Sequence, residues 1–355
     1  MDIPSAEPAG PSVLAAEPIT YSDRSTGLTV FGIILIVLGL LSALMIPFTL
    51  PGIFMARKTG GAMPPGSYVL SISMYTSSTA ALIVLGIGSI RAQRWARNLI
   101  LIASWLWLVY GSISIVTITA ILPSSLMAGF RSAAAKNPQA PQLPAGVMAV
   151  ILTLMIALVA VFMVVLPIIF VVFYRRKDVE ETCKRRDPLP SWTEKAPLPV
   201  LAVSIICVIG ALYYLGASFA VPMFPFFGKY LTGLPASAAL LMLAVLDGFL
   251  AFSLFKRQII GWWIAVIALI LRGIALALTV HRGNLVDAYA RMGWSTRQLE
   301  LMQNTGLYRS GGILWLGMAF LVLFLGYLIW IKRYFSADLQ AASTLTLPED
   351  MPSAS

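Results

Sequence analysis

The sequence predicts an all-α, polytopic integral membrane protein of about eight transmembrane helices, arranged as two parallel four-helix repeats. Three observations predict it. Eight apolar runs are each long enough to cross a hydrocarbon core roughly 30 Å thick as a helix. Of the 355 residues, 59% are hydrophobic and 11% charged, where an average soluble domain is about a quarter charged. The cations gather in short clusters at the ends of alternate runs.

Taken in order, residues 1–26 are rich in Pro, Ala, Ser and acid, with Asp2, Glu7, Glu17 and Asp23 against the single cation Arg24. They read as a disordered cytoplasmic tail. A secretory signal opens with a positive segment and a short apolar core, and neither is visible, so the first span reads as uncleaved. The expected spans are 27–50, 68–90, 97–122, 146–174, 197–221, 234–255, 259–281 and 310–331. The first four make a repeat over 27–174 and the last four a repeat over 197–335, with a charged cytoplasmic linker at 175–196 between them. Residues 336–355 read as a second disordered cytoplasmic tail. The fourth run is longer than a crossing needs, and Pro167 near its end is expected to kink or tilt it.

The net charge of +10 raises the question of nucleic acid. Its placement answers otherwise: Arg91, Arg94 and Arg97; Arg175, Arg176 and Lys177; Lys256 and Arg257; Lys332 and Arg333 all flank apolar runs. That is the pattern of loops retained by the positive-inside bias. It puts the 2–3, 4–5 and 6–7 connections and both termini in the cytoplasm, with Arg57 and Lys58 in the first outer loop as the exception. The expected location is a cell membrane of the bacterial inner-membrane kind. The lipid bilayer is the one certain partner, nucleic acid is excluded, and membrane or cytoplasmic protein partners stay open.

Duplication rests on matching features in the halves. Val37-Leu38-Gly39-Leu40-Leu41 is followed by Pro51 twelve residues past the glycine, and Val208-Ile209-Gly210-Ala211-Leu212 by Pro222 at the same offset. The short turn from Arg91 to Arg97 corresponds to Lys256–Trp262. An even number of spans per unit makes such repeats parallel. Gly32 and Gly39, seven apart on one face of the first span, read as a packing seam.

The linker runs Arg175-Arg176-Lys177-Asp178-Val179-Glu180-Glu181, then Arg185-Arg186-Asp187-Pro188, and its Pro188, Pro190, Pro197 and Pro199 keep it from being one helix. Asp178-Val179, Thr182, Arg186-Asp187-Pro188, Pro190 and Trp192-Thr193, together with the Gly88–Arg97 turn, resemble uncharacterised bacterial multi-pass membrane proteins that carry a DV-x-x-T-x-x-x-RDP-x-P-x-W-T segment between spans. The resemblance covers two short segments and implies no activity. Of the two cysteines, Cys183 falls in the linker and Cys207 inside the fifth span, which disfavours a disulfide. Cys183 is expected to be an ordinary exposed thiol.

Asp247 and Arg272 are the charges well inside expected spans. Counting along the helices from the 6–7 turn puts them about 13–14 Å and roughly 22 Å deep. The tight turn makes spans six and seven antiparallel neighbours, and arginine's reach allows a charge-assisted pair. A lone charge in hydrocarbon costs several kcal/mol, so pairing or water is required. The readings that stand are a site for an ion, a proton or an anionic substrate, a structural clamp between two helices, and Arg272 snorkelling outward while Asp247 caps a neighbouring helix. The first repeat carries no equivalent pair.

Hydroxyls concentrate in spans two and three, where Ser71, Tyr75, Ser78, Thr79, Ser114 and Thr117 form a candidate polar cavity. The competing reading is back-bonding to their own helix carbonyls and close packing. In the 7–8 loop, Leu285, Tyr289, Met292, Leu299 and Met302 recur at helical spacing and Asp287–Arg291 is an i,i+4 pair, which predicts an amphipathic helix at the membrane boundary. The sequence offers no catalytic residues, metal ligands or cofactor motif. His281 is the single histidine, without the partners that metal sites and hydrolytic triads need. The function classes left open are handling of a small solute or ion, a non-catalytic scaffold or accessory subunit, and, least supported, an enzyme acting on lipid.

Overall fold

The computed structural model describes residues 22–58, 65–136, 144–304 and 312–335. The first half contains α1 (Ser25–Lys58), α2 (Pro65–Ile90), α3 (Arg94–Lys136) and a fourth span built from α4 (Ala145–Ala160), a π-helical turn (Val161–Val165) and α5 (Leu166–Tyr174). The linker holds α6 (Lys177–Arg186) and a 3₁₀ turn (Trp192–Glu194). The second half follows with α7 (Leu198–Ala220), β1 (Met223–Phe226), β2 (Lys229–Thr232), α8 (Leu234–Phe255) and α9 (Ile259–Arg282). It closes with α10 (Leu285–Arg291), α11 (Thr296–Asn304) and α12 (Gly312–Ile331). Among the described residues, 8 helices are long and apolar enough to cross a membrane, so the chain is an all-α, multi-pass membrane protein in contact with the bilayer.

Helix is what hydrocarbon demands, because every backbone N–H and C=O must find its partner inside the segment. Packing between the helices then relies on close approach rather than on expulsion of water. Gly32 of α1 and Gly86 of α2 show this: a Cβ built on either would fall 2.7 Å from the other's carbonyl oxygen. Gly39 continues the seam against Ile83 and Leu82.

The fourth span is distorted one turn before Pro167, not at it. Pro167 has no N–H for the carbonyl of Met163, four residues back, and the chain widens into the π turn. Gly111 of α3 lies against that same carbonyl with no room for a Cβ. Proline and glycine together let α3 approach the freed oxygen.

Two cores sit at the cation-rich ends of the halves. Leu28, Ile100, Phe170, Tyr174 and Val179 belong to the first, and Val200, Leu254, Trp262, Leu328 and Ile331 to the second. Polar atoms inside them are satisfied: Ser89 Oγ donates to Leu28 O at 2.8 Å and lies 2.6 Å from Tyr174 Oη, and Trp262 Nε1 donates to Leu328 O at 2.7 Å. The α2–α3 and α8–α9 turns are the same device. Gln93 N–H bonds Gly88 O and Ala92 N–H bonds Ser89 O, while Gln258 bonds Ser253 and Arg257 bonds Leu254 in the same pattern. Both are Schellman turns with a non-glycine residue in the left-handed region, Ala92 at φ 51 and Arg257 at φ 57.

The linker departs from the expected charged stretch in being folded onto the first half. Arg94 meets Glu194 through two parallel bonds of 2.8 and 2.7 Å, and Asp187 accepts the Arg94 backbone N–H at 3.2 Å, capping α3. Arg97 bonds Glu180 at 3.0 Å, Asn98 Nδ2 donates to Thr193 Oγ1 at 3.0 Å, and the Arg24 N–H donates to Thr182 Oγ1 at 3.1 Å. Cys183 is thereby buried, which corrects the expectation of an exposed thiol.

Two further differences lie at the opposite end. The 5–6 connection is a β-hairpin, paired Met223 to Thr232 through Phe226 to Lys229. Its two-residue turn has Phe227 at φ 39 and Gly228 at φ 98, the doubly left-handed geometry that tight hairpins favour. Among the described residues, the 7–8 loop forms two short helices rather than one, broken at Gly293 with φ 85. The segment after Leu126 is a continuation of α3, which runs to Lys136. The two expected disordered tails fall outside the described residues except for 22–26, where helix already begins at Ser25.

Candidate functional site

The site grows from α7, α8 and α9. The tight α8–α9 turn sets these two helices antiparallel, which brings Asp247 and Arg272 into reach. Arg272 Nη2 donates to Asp247 Oδ1 at 2.5 Å and Nη1 to Oδ2 at 3.4 Å, an end-on pair. The Asp247 side chain is 5% exposed and that of Arg272 28%. On the α7 side, Gly210 leaves room for the carboxylate, and the guanidinium carbon lies 5.5 Å from the centre of the Tyr214 ring. Counted from their Schellman turns, the corresponding residues of the first half are Leu82 and Trp107, and Trp107 packs edge-on against Phe162 instead. One half of the molecule carries the charge pair.

Arg272 lines a cavity of about 550 Å³ on the hairpin side of the pair, while Asp247 sits behind it. The walls come from both halves: Ser67 and Ser71 from the start of α2, Tyr213 and Tyr214 from α7, and Tyr289 and Trp294 from the α10 segment. Gly66 permits this meeting, since its Cα approaches the Ala220 carbonyl with no room for a Cβ. Trp294 and Tyr289 pack with ring centres 4.4 Å apart.

Two donors in these walls have no acceptor. Arg272 Nε and Trp294 Nε1 are both buried and unbonded among the described residues. The end-on contact with Asp247 leaves the Nε edge of the guanidinium free. An unmet buried donor costs roughly 1–3 kcal/mol, and two on residues that line one cavity point to an acceptor-bearing occupant. The aromatic faces around them suit an apolar body.

Of the six hydroxyl residues proposed for a polar cavity, Ser71 lines this one, with its Oγ donating to Ser67 O at 2.9 Å. The others lie elsewhere. Tyr75 and Ser78 are exposed on the flank of α2, and Ser114 is half-buried in α3. Thr117 donates to Ile113 O at 2.9 Å. Thr79 Oγ1 is buried without a partner among the described residues. Sequence reasoning passed over Tyr213, Tyr214 and Trp294 and placed Tyr289 only on an amphipathic helix; a tyrosine pair one turn from Gly210 was the signal available.

A second cavity, about 410 Å³, adjoins the first between α8 and α9 and shares Phe224, Arg272 and Ala275 with it. Its remaining walls are wholly apolar. Among the described residues, no three His, Cys, Asp or Glu side chains gather as a metal site. Comparison of the chain with protein-family models, with curated proteins and with solved structures gives no match.

Proposed function

We propose that the protein binds a small acceptor-bearing solute in the cavity above Arg272, reached from the outer side of a cell membrane. The observation that carries this reading is the pair of unmet donors, Arg272 Nε and Trp294 Nε1, on two residues that line one cavity. In this reading Asp247 holds the guanidinium in place and offsets its charge, and Arg272 and Trp294 bond the solute. The cores at the cation-rich ends close the bundle below the site, so transport would require a second arrangement of the helices.

Orientation with both termini cytoplasmic is supported by the cations of the α2–α3 and α8–α9 turns and of the linker. A bacterial inner membrane is supported by the resemblance of the linker segment. Internal duplication is supported by the matching Schellman turns and by one contact inside each. Gly88 faces Ala96 at the first turn and Ser253 faces Gly261 at the second, the same pair of positions with the glycine on opposite helices. A scaffold could dock partners on its nearly uniform apolar spans, on the charged linker or on the outer amphipathic segment, and the linker part of that reading is weakened. Glu180, Asp187 and Glu194 of the linker are spent on Arg94 and Arg97.

Cysteine protection tests the reading. Ser71→Cys, in a background lacking Cys183 and Cys207, is expected to react with an impermeant thiol reagent in intact cells. Short neutral esters and amides, glycerol monoacetate first, are expected to slow that reaction, and Arg272→Gln and Trp294→Phe to weaken the protection. Reaction only after permeabilisation, or no protection by any of them, would remove the reading.

A further inference from the structure

We propose that the apolar groove between α8 and α9 is the chain-binding half of the same site, and that its occupant is a neutral single-chain lipid with a carbonyl near its head, such as a monoacylglycerol. The inference rests on the cavity above Arg272 being a ligand site and names what it binds.

Continuity is the first argument. Phe224, Arg272 and Ala275 line both spaces, so a molecule bonded at the Nε edge of Arg272 can extend directly into the groove. The two spaces are also unlike: one has tyrosines, serines and a tryptophan among its apolar walls, the other aliphatic and phenylalanine side chains alone apart from Arg272. That is a head compartment beside a tail compartment. The groove lies along two membrane-spanning helices, and its rim residues Met242 and Ile267 are 73% and 53% exposed. Its open side therefore faces lipid hydrocarbon, from which a chain can enter sideways.

Charge decides the head group. Arg272 is already balanced by Asp247, and among the described residues neither set of walls contains a second cation. A carboxylate or phosphate head would leave an uncompensated negative charge at low dielectric, which two hydrogen bonds do not offset. A carbonyl meets the same two donors without that penalty. A single chain follows from there being one groove.

The test is photolabelling in lipid nanodiscs with a monoacylglycerol carrying a diazirine at the end of its chain, followed by peptide mapping. Adducts are expected in the groove, at Met242, Leu246 or Ile264. Unmodified monoacylglycerol should compete at least tenfold better than the carboxylate of equal chain length at pH 8. Ala268→Trp and, separately, Ala239→Phe should lower groove labelling about tenfold by filling it. Protection of Ser71→Cys by glycerol monoacetate in each variant shows that the fold and the head compartment survive. Labelling spread evenly over the spans, equal competition by the carboxylate, or undiminished labelling in both variants would overturn the inference. If glycerol monoacetate still protects Ser71→Cys when that happens, the groove proposal falls and the cavity reading stands. If glycerol monoacetate gives no protection, both fall.

Discussion

Gly210 of α7 lies directly against the carboxylate of Asp247 on α8: a Cβ built on the glycine would fall 2.8 Å from Oδ2. The oxygen cannot swing away freely, because Arg272 holds it. Gly210→Ala is therefore expected to lower stability in detergent by about 1–3 kcal/mol, the usual range for overpacking. In a background with Asp247→Ala and Arg272→Ala the same substitution should cost much less. Equal losses in the two backgrounds, read from denaturant unfolding, would place the glycine's importance elsewhere.

Removing one member of the charge pair strands the other. Asp247→Asn and Arg272→Gln are each expected to cost a few kcal/mol, and the double substitution less than the sum. A thermodynamic cycle from unfolding midpoints measures the difference, and strict additivity would mean that the contact contributes nothing.

The folded linker makes stability sensitive to acid. The hydrogen bond from Lys184 holds the Glu180 carboxyl below its ordinary value of 4.5, and Arg97 adds to the effect. A lowered carboxyl contributes stability that is complete above the unfolded value and lost as pH falls through the folded one. The reporter is Cys183, whose thiol is buried and pushed up to about 11 by desolvation. Its reaction with dithiodipyridine, which proceeds in acid, should be slow and flat from pH 7 to 5 and rise below about 4.5. Glu180→Gln should raise the reaction at neutral pH and flatten the profile.

Burial of Cys183 also changes how sidedness is measured, since a buried thiol stays silent from either face. Lys229→Cys, on the exposed edge of the hairpin, is expected to react with an impermeant reagent in intact cells. Glu181→Cys, exposed on α6, should react only after permeabilisation. The reverse pattern would invert the orientation.

The spans were legible because bilayer thickness fixes their length: α8 is the residues the hydropathy picks out, and α7 and α9 differ at their ends by a residue. Asp247 and Arg272 stand out in any reading because charge is costly there. The hairpin was missed, although Phe227-Gly228 between aromatic runs is a turn signal, because apolar residues flanking a span look like more span. The cavity was beyond reach for a different reason. Its walls depend on α2 meeting α7, a contact made by Gly66 and Ala220 that no periodicity records. The linker read as solvated charge because its partners lie far back in the chain.

That separation has a consequence for synthesis. Arg94 precedes Glu194 by 100 residues and Arg97 precedes Glu180 by 83. At about 5–20 residues per second, the arginines wait several seconds as bare cations before the linker emerges. In the proposed orientation, they are free during that interval to act as the retention signal that keeps the α2–α3 turn from crossing. Once Asp187 caps α3 and the glutamates arrive, the same side chains become a latch on a completed four-span unit, fastened before the second half has been made. Weakening the latch would then show first as a loss of correctly inserted chains, with the stability of those that do mature changed far less.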